Sequence, residues 1–149
     1  MYDSLKKIGL ITVVLLVLDA TFISSNMKMF KKQIESVQHT DLSLNIYWAI
    51  PCYLIIIFGL YYFIIRERRS IMDAVLLGFF VFGVYDTTNF STFKNWSLIT
   101  VIIDTLWGGF LFGFTTYIVY LIYWFTRLKI KNHTFIPFFI SSNIIWFII

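Results

Sequence analysis

A chain of 149 residues that is 59% hydrophobic, 21% aromatic and only 13% charged lacks the polar surface to cover a water-exposed sphere. Its mean hydropathy of +0.80 points instead to an integral membrane protein. The net charge of +4 comes from basic residues that flank apolar runs, as headgroup anchors and topology signals do; this excludes nucleic acid as the expected partner and leaves the lipid bilayer.

After Lys6-Lys7, the run from Ile8 to about Ser25 reads as an uncleaved first transmembrane helix, because Asp19 interrupts it and no A-x-A cleavage site follows. Eighteen residues cover about 27 Å at about 1.5 Å each, enough to span. Asn26 to Asn45 reads as a polar connection of mixed charge. Its His39 has no second histidine or cysteine at metal spacing, so no metal site is expected there. Ile46 to Ile65 is the second span, bounded by the aromatic pairs Tyr47-Trp48 and Tyr61-Tyr62. Within it Cys52, the only cysteine, is a packing residue and allows no intrachain disulfide.

Ser70 with Asp73 three residues later forms an S-x-x-D capping box, which explains Asp73 structurally. The third span runs from Ile71 to about Asn89 and the fourth from near Trp96 to about Phe125. Thirty residues would reach about 45 Å, so tilt, a kink near Gly108-Gly109 or a protruding end is expected. Gly109 and Gly113 form a G-x-x-x-G pair, and together with Gly108 they read as helix-packing positions inside the subunit. After Arg127, Lys129 and Lys131, the tail FIPFFISSNIIWFII is apolar but only 15 residues long; it reads as a short fifth span, with an interfacial segment as the alternative. The fold class is therefore all-α: an integral membrane helical bundle of four core spans. Residues 1–126 form one transmembrane domain, and 127–149 a basic linker plus the apolar C-terminal segment.

Eight Lys/Arg (Lys6, Lys7, Arg66, Arg68, Arg69, Arg127, Lys129, Lys131) fall on the N-terminal side and four (Lys28, Lys31, Lys32, Lys94) on the other. The positive-inside rule puts the N-terminus in the cytoplasm. Asp19 then lies about 10 Å and Asp104 about 12 Å below the outer end of their helices, with Asp86 nearer that interface. Three acids on three helices thus share one half of the membrane, although an ionisable side chain at mid-membrane costs about 2.5–3.5 kcal/mol. Asp86 and Asn89 share a helix face, as do Asp104 and Trp107; Tyr85, Thr87 and Thr88 add hydroxyls, and Gly108 leaves room beside Asp104. No Lys or Arg lies within the four spans, so the acids must be protonated, hydrogen-bonded or bound to a cation. Structurally, Asp86 could instead cap its helix and Asp104 bond across helices.

YDTTNFSTFKNW followed by IIDTLWG resembles the central motif of the small membrane proteins grouped as domain of unknown function 2177, and LDATFISSNMKMFKKQI is similar to that family's first-helix segment and the amphipathic stretch after it. The resemblance covers roughly Ile11 to Thr116. It implies a four-helix membrane core and places Asp19, Tyr85, Asp86, Thr88, Asn89, Thr92, Trp96, Asp104, Trp107 and Gly108 on motif positions. Phe22 departs from it, standing where the family usually has tryptophan, and the tail beyond about Phe125 is an addition. The family supplies no function.

Acids on several helices without paired bases suit binding or conduction of a proton, cation or small solute, and a solute path through four spans would call for a homo-oligomer. The alternative is a non-catalytic interaction or scaffold protein in which the Asp/Asn/Thr motif is a polar staple fixing helix register. An intramembrane enzyme ranks last: no serine or cysteine pairs with a histidine, H-E-x-x-H is absent, and His39 and His133 fall outside the core spans, so neither a catalytic residue nor a cofactor is expected.

Overall fold

The stripe spacing of the apolar residues decides which face of each helix turns inward, and the carboxylates ride on those stripes. A computed structural model describes residues 2–43 and 45–131, with side chains described for 3–43 and 45–124. The expected fifth span lies outside the described residues.

The elements are α1 (Tyr2–Ser25), α2 (Met27–Gln38), α3 (Ile46–Leu60, continued by a π turn over Tyr61–Ile65), α4 (Ile71–Thr92) and α5 (Leu98–Lys131). Four segments are long and apolar enough to cross a membrane: Asp3–Ser25, Ile46–Ile65, Ile71–Thr92 and Leu98–Trp124. The protein is a multi-pass membrane helical bundle. Half of the α5 span is buried, against 17–22% of each other span, so α5 is the central helix.

On α1 the buried positions are Ile11, Leu15 and Asp19, a strict i, i+4 stripe. On α4 they are Ala74, Gly78 and Asp86, on the same four-residue spacing with half-buried Phe82 between. Each carboxylate therefore continues the stripe that packs the bundle and cannot turn to lipid without exposing the core. α4 and α5 form the most extensive helix pair. Their crossing is set by glycines: a Cβ on Gly78 would collide with the Gly108 carbonyl, and one on Gly108 would enter the Phe82 ring. Gly109 passes Val75 O, which a Cβ would meet at 3.3 Å, and Gly113 seats the Val75 side chain, so the G-x-x-x-G face packs α4 within the subunit.

Ser70 caps α4 with the full capping box: its side chain accepts from Asp73 N–H at 3.1 Å, and Asp73 Oδ2 accepts from Ser70 N–H at 3.2 Å. The π turn ending α3 was not anticipated. At and beyond it, the Ile64 and Arg69 carbonyls accept from the Tyr120 hydroxyl on α5 at 3.4 and 2.8 Å, which ties the end of the second span to α5. Residues 127–131, expected as a linker, continue the α5 helix, and α4 runs to Thr92 rather than Asn89.

The largest correction concerns 26–45. The polar connection contains α2, an amphipathic helix whose Phe30, Ile34 and Val37 are half-buried while Lys28, Lys31 and Lys32 are exposed. It ends at His39, whose left-handed φ of 56° lets its N–H bond Glu35 O at 2.9 Å.

Gly78→Ala should destabilise the bundle by about 1–3 kcal/mol through overpacking against backbone. Reversible unfolding in mixed micelles would read this, and a variant as stable as the parent would refute the close crossing.

Candidate functional site

Asp19, Asp86 and Asp104 each stand six residues from a helix end on the side that carries α2: Ser25 of α1, Thr92 of α4 and Leu98 of α5. At about 1.5 Å per residue all three lie about 9 Å inside. Asp86 is as deep as the others because α4 continues past Asn89.

Asp19 is held from two helices. Tyr53 Oη of α3 donates to its Oδ2 at 2.5 Å and Trp107 Nε1 of α5 donates to its Oδ1 at 2.9 Å. Phe22 of α1 stacks on the Trp107 ring at 4.1 Å and 5°, fixing the indole plane, and Phe30 of α2 meets Phe22 edge-on at 5.9 Å. Phe22 thus presents an aromatic face to the indole. Donors on two other helices make the Asp19 carboxylate a three-helix junction.

Asp86 is 1% exposed, and its carboxyl faces that of Asp104 across the glycine crossing. Among the described residues no donor reaches Asp86 Oδ2. The Trp96 indole stands beside Asp86 without closing a hydrogen bond, and the buried Asn89 amide nitrogen, one turn along α4, is likewise unpartnered. Asp19 lies within electrostatic range of Asp104, so all three acids share one field. Beside the Asp104 carboxyl, Asp86 Oδ2, the Asn89 amide nitrogen and the Trp96 indole nitrogen are thus buried with no closed hydrogen bond.

α2 is bonded to the connection between α4 and α5 and to the first turn of α5. Gln33, 5% exposed, donates from Nε2 to Asn95 O at 3.1 Å, while its Oε1 accepts from Ser97 N–H at 2.9 Å and from Thr100 Oγ1 at 3.3 Å. Asn95 Nδ2 returns a bond to Ser36 O at 2.9 Å, and Ser36 Oγ donates to Asn95 O at 3.3 Å. These bonds clasp α2 to the connection that carries Trp96.

Of the residues expected at the site, Asp19, Asp86, Asn89, Asp104 and Trp107 converge. Tyr85 and Thr88 are exposed and stand apart; Thr87 is spent on the Gly83 carbonyl at 2.6 Å. Tyr53 and Gln33 escaped the sequence reading. Depth could have found Tyr53: it is seven residues into α3, about 10 Å by helical rise, level with Asp19. Gln33 is signalled by sitting on the apolar face of α2 between Phe30 and Val37. A separate apolar groove of about 370 Å³ between α4 and α5, lined by Phe79, Phe80, Gly83, Val84 and Thr105 among others, does not include the acids.

The sequence profile of the family described as "Predicted membrane protein (DUF2177)" matches residues 4–123. The chain belongs to this family. No curated protein and no solved structure matches it. The DUF2177 match spans all four crossing helices and every residue of the cluster, and it stops one residue short of the last described α5 side chain.

Tyr53→Phe should cost about 1–2 kcal/mol of stability by removing a donor from a buried carboxylate; micellar unfolding that leaves the midpoint in place would refute the junction. Gln33→Leu should speed amide exchange across α2 by at least about tenfold, equivalent to about 1.4 kcal/mol, whereas unchanged exchange would mean that the clasp does not hold the helix.

Proposed function

We propose that this member of the family handles protons, with the Asp86–Asp104 carboxyl pair as the site of uptake and release. One observation carries the reading: the buried Asp86 carboxyl faces the half-buried Asp104 carboxyl at one depth of a membrane bundle, with no hydrogen supplied to Asp86 Oδ2. Like charges that close, in an apolar surrounding, cannot both persist, and one proton between two carboxyls supplies the missing donor. Among the described residues no group of three His, Cys, Asp or Glu side chains has the arrangement of a metal cage. Asp19 is held away by its own two donors, so the pair that remains suits a proton better than an ion. A proton needs no aqueous pore, so this reading does not call for the homo-oligomer that a solute path would.

The second reading, a polar staple, is favoured at one residue. Asp19, with Tyr53 and Trp107, has the full bonding expected of a structural junction. We assign Asp19 that role and keep the proton for Asp86 and Asp104. The distribution of Lys and Arg supports a cytoplasmic N-terminus, which would open the carboxyl pair toward the outer side beneath α2.

Carboxyl infrared difference spectroscopy of the protein in nanodiscs should show a pH-sensitive band that disappears in Asp104→Asn and Asp86→Asn and persists in Asp19→Asn. If no band of the parent responds to pH, the proton reading fails and the staple accounts for all three acids.

A further inference from the structure

The deepest unused polar groups in the bundle lie beyond the acids. Thr115 and Thr116 are both 0% exposed, and among the described residues neither Oγ1 has a hydrogen-bond partner. Elsewhere in the chain, threonine hydroxyls bond carbonyls four residues back: Thr12 to Ile8, Thr21 to Val17, Thr87 to Gly83 and Thr92 to Thr88. This pair does not. A buried hydroxyl without a partner is worse than the isosteric valine, so packing alone does not account for two in succession.

Their register on α5 supplies the second observation. Eleven residues make about three turns, so Thr115 falls on the line of Asp104 and Thr116 on the line of Thr105. Thr105 is itself buried, with an unpartnered Oγ1. The Asp104–Thr105 step is thus repeated by Thr115–Thr116 about 16 Å further along the helix. Eight more residues, about 12 Å, separate Thr116 from Trp124 at the far end of the span. Leu111 and Phe112, each 1% exposed, fill the turn between the two steps.

We infer that Thr115 and Thr116 are a water-binding second station, through which protons from the Asp86–Asp104 pair cross the other half of the membrane. This rests on the proton reading of that pair. A threonine hydroxyl bound to water accepts a proton on a lone pair and passes on its own hydrogen. The side chain ends unchanged and no oxidant or co-reactant is needed. Water is the ligand that suits unsatisfied buried hydroxyls of this kind, and the station holds it only when the packing around Thr115 and Thr116 opens to admit it. Leu111 and Phe112 form a dry constriction between the stations, so passage depends on transient wetting of that turn.

The test is proton flux into proteoliposomes of the full chain under a potassium diffusion potential, read by an entrapped pH dye, together with the carboxyl infrared band of the same preparations. The double variant T115V/T116V should fold, keep the pH-sensitive carboxyl band and lose at least about tenfold in flux, while T115S/T116S keeps the parental flux. Parental flux in the valine variant overturns the second station and leaves the carboxyl pair standing. A parent that conducts no protons overturns the station along with the conduction it serves; loss of the carboxyl band in the parent separately removes the proton reading itself. Failure of the valine variant to fold also overturns the inference, since it would mean that the hydroxyls hold the structure together.

Discussion

The structure depends on one close approach. Gly78 and Gly108 let α4 and α5 cross with backbone against backbone, and that crossing brings the Asp86 and Asp104 carboxyls face to face. A side chain at either glycine would part the helices and return each acid to its own hydrogen-bonding fate. Hydrophobic burial cannot do this work between helices in lipid, where the surroundings are as apolar as the core, so small residues and packing carry the association. The acid pair follows from how tightly this membrane bundle can be wound.

Asp19 shows the opposite solution to the same cost. It sits at the same depth on a third helix, yet donors from α3 and α5 occupy both its oxygens, and an aromatic stack from Phe30 through Phe22 to Trp107 holds one donor in plane. Two acids left with an unfilled site beside one acid made fully content is an uneven distribution of hydrogen-bond donors. In a low-dielectric interior such unevenness sets the Asp86–Asp104 pair apart from Asp19.

The four spans were legible because hydropathy and length leave little choice for a chain this apolar, and the shared depth of the acids was legible from helical rise alone. The same arithmetic underestimated Asp86, because the polar run Thr87-Thr88-Asn89 looks like a helix end, while Thr87 and Thr92 turn their hydroxyls back onto carbonyls of their own helix and so leave it free to run on to Thr92. α2 was hidden by its lysines: charge suggested a loop, and only its period shows the half-buried face beneath. Tyr85 and Thr88 belong to the motif by position but not by direction, since adjacent helical residues point about 100° apart and only Asp86 and Asn89 of that run face inward. Depth marks Tyr53 and face marks Gln33 as inward positions, but which groups they bond depends on which helices become neighbours, which no local pattern contains.

The clasp on α2 also bears on how the chain is made. Gln33 finds its partners 62 to 67 residues later, and Asp19 waits 88 residues for Trp107. During synthesis the first helix therefore enters the membrane with a carboxylate that Tyr53 can only half serve, and α2 has only its edge contact with Phe22 until the last hairpin is in place. A chain cut short before α5 leaves Asp19 and Gln33 without these partners. Completion of the polypeptide is thus written into its polar groups, and an unfinished copy differs from a finished one by a signal that membrane quality control could read.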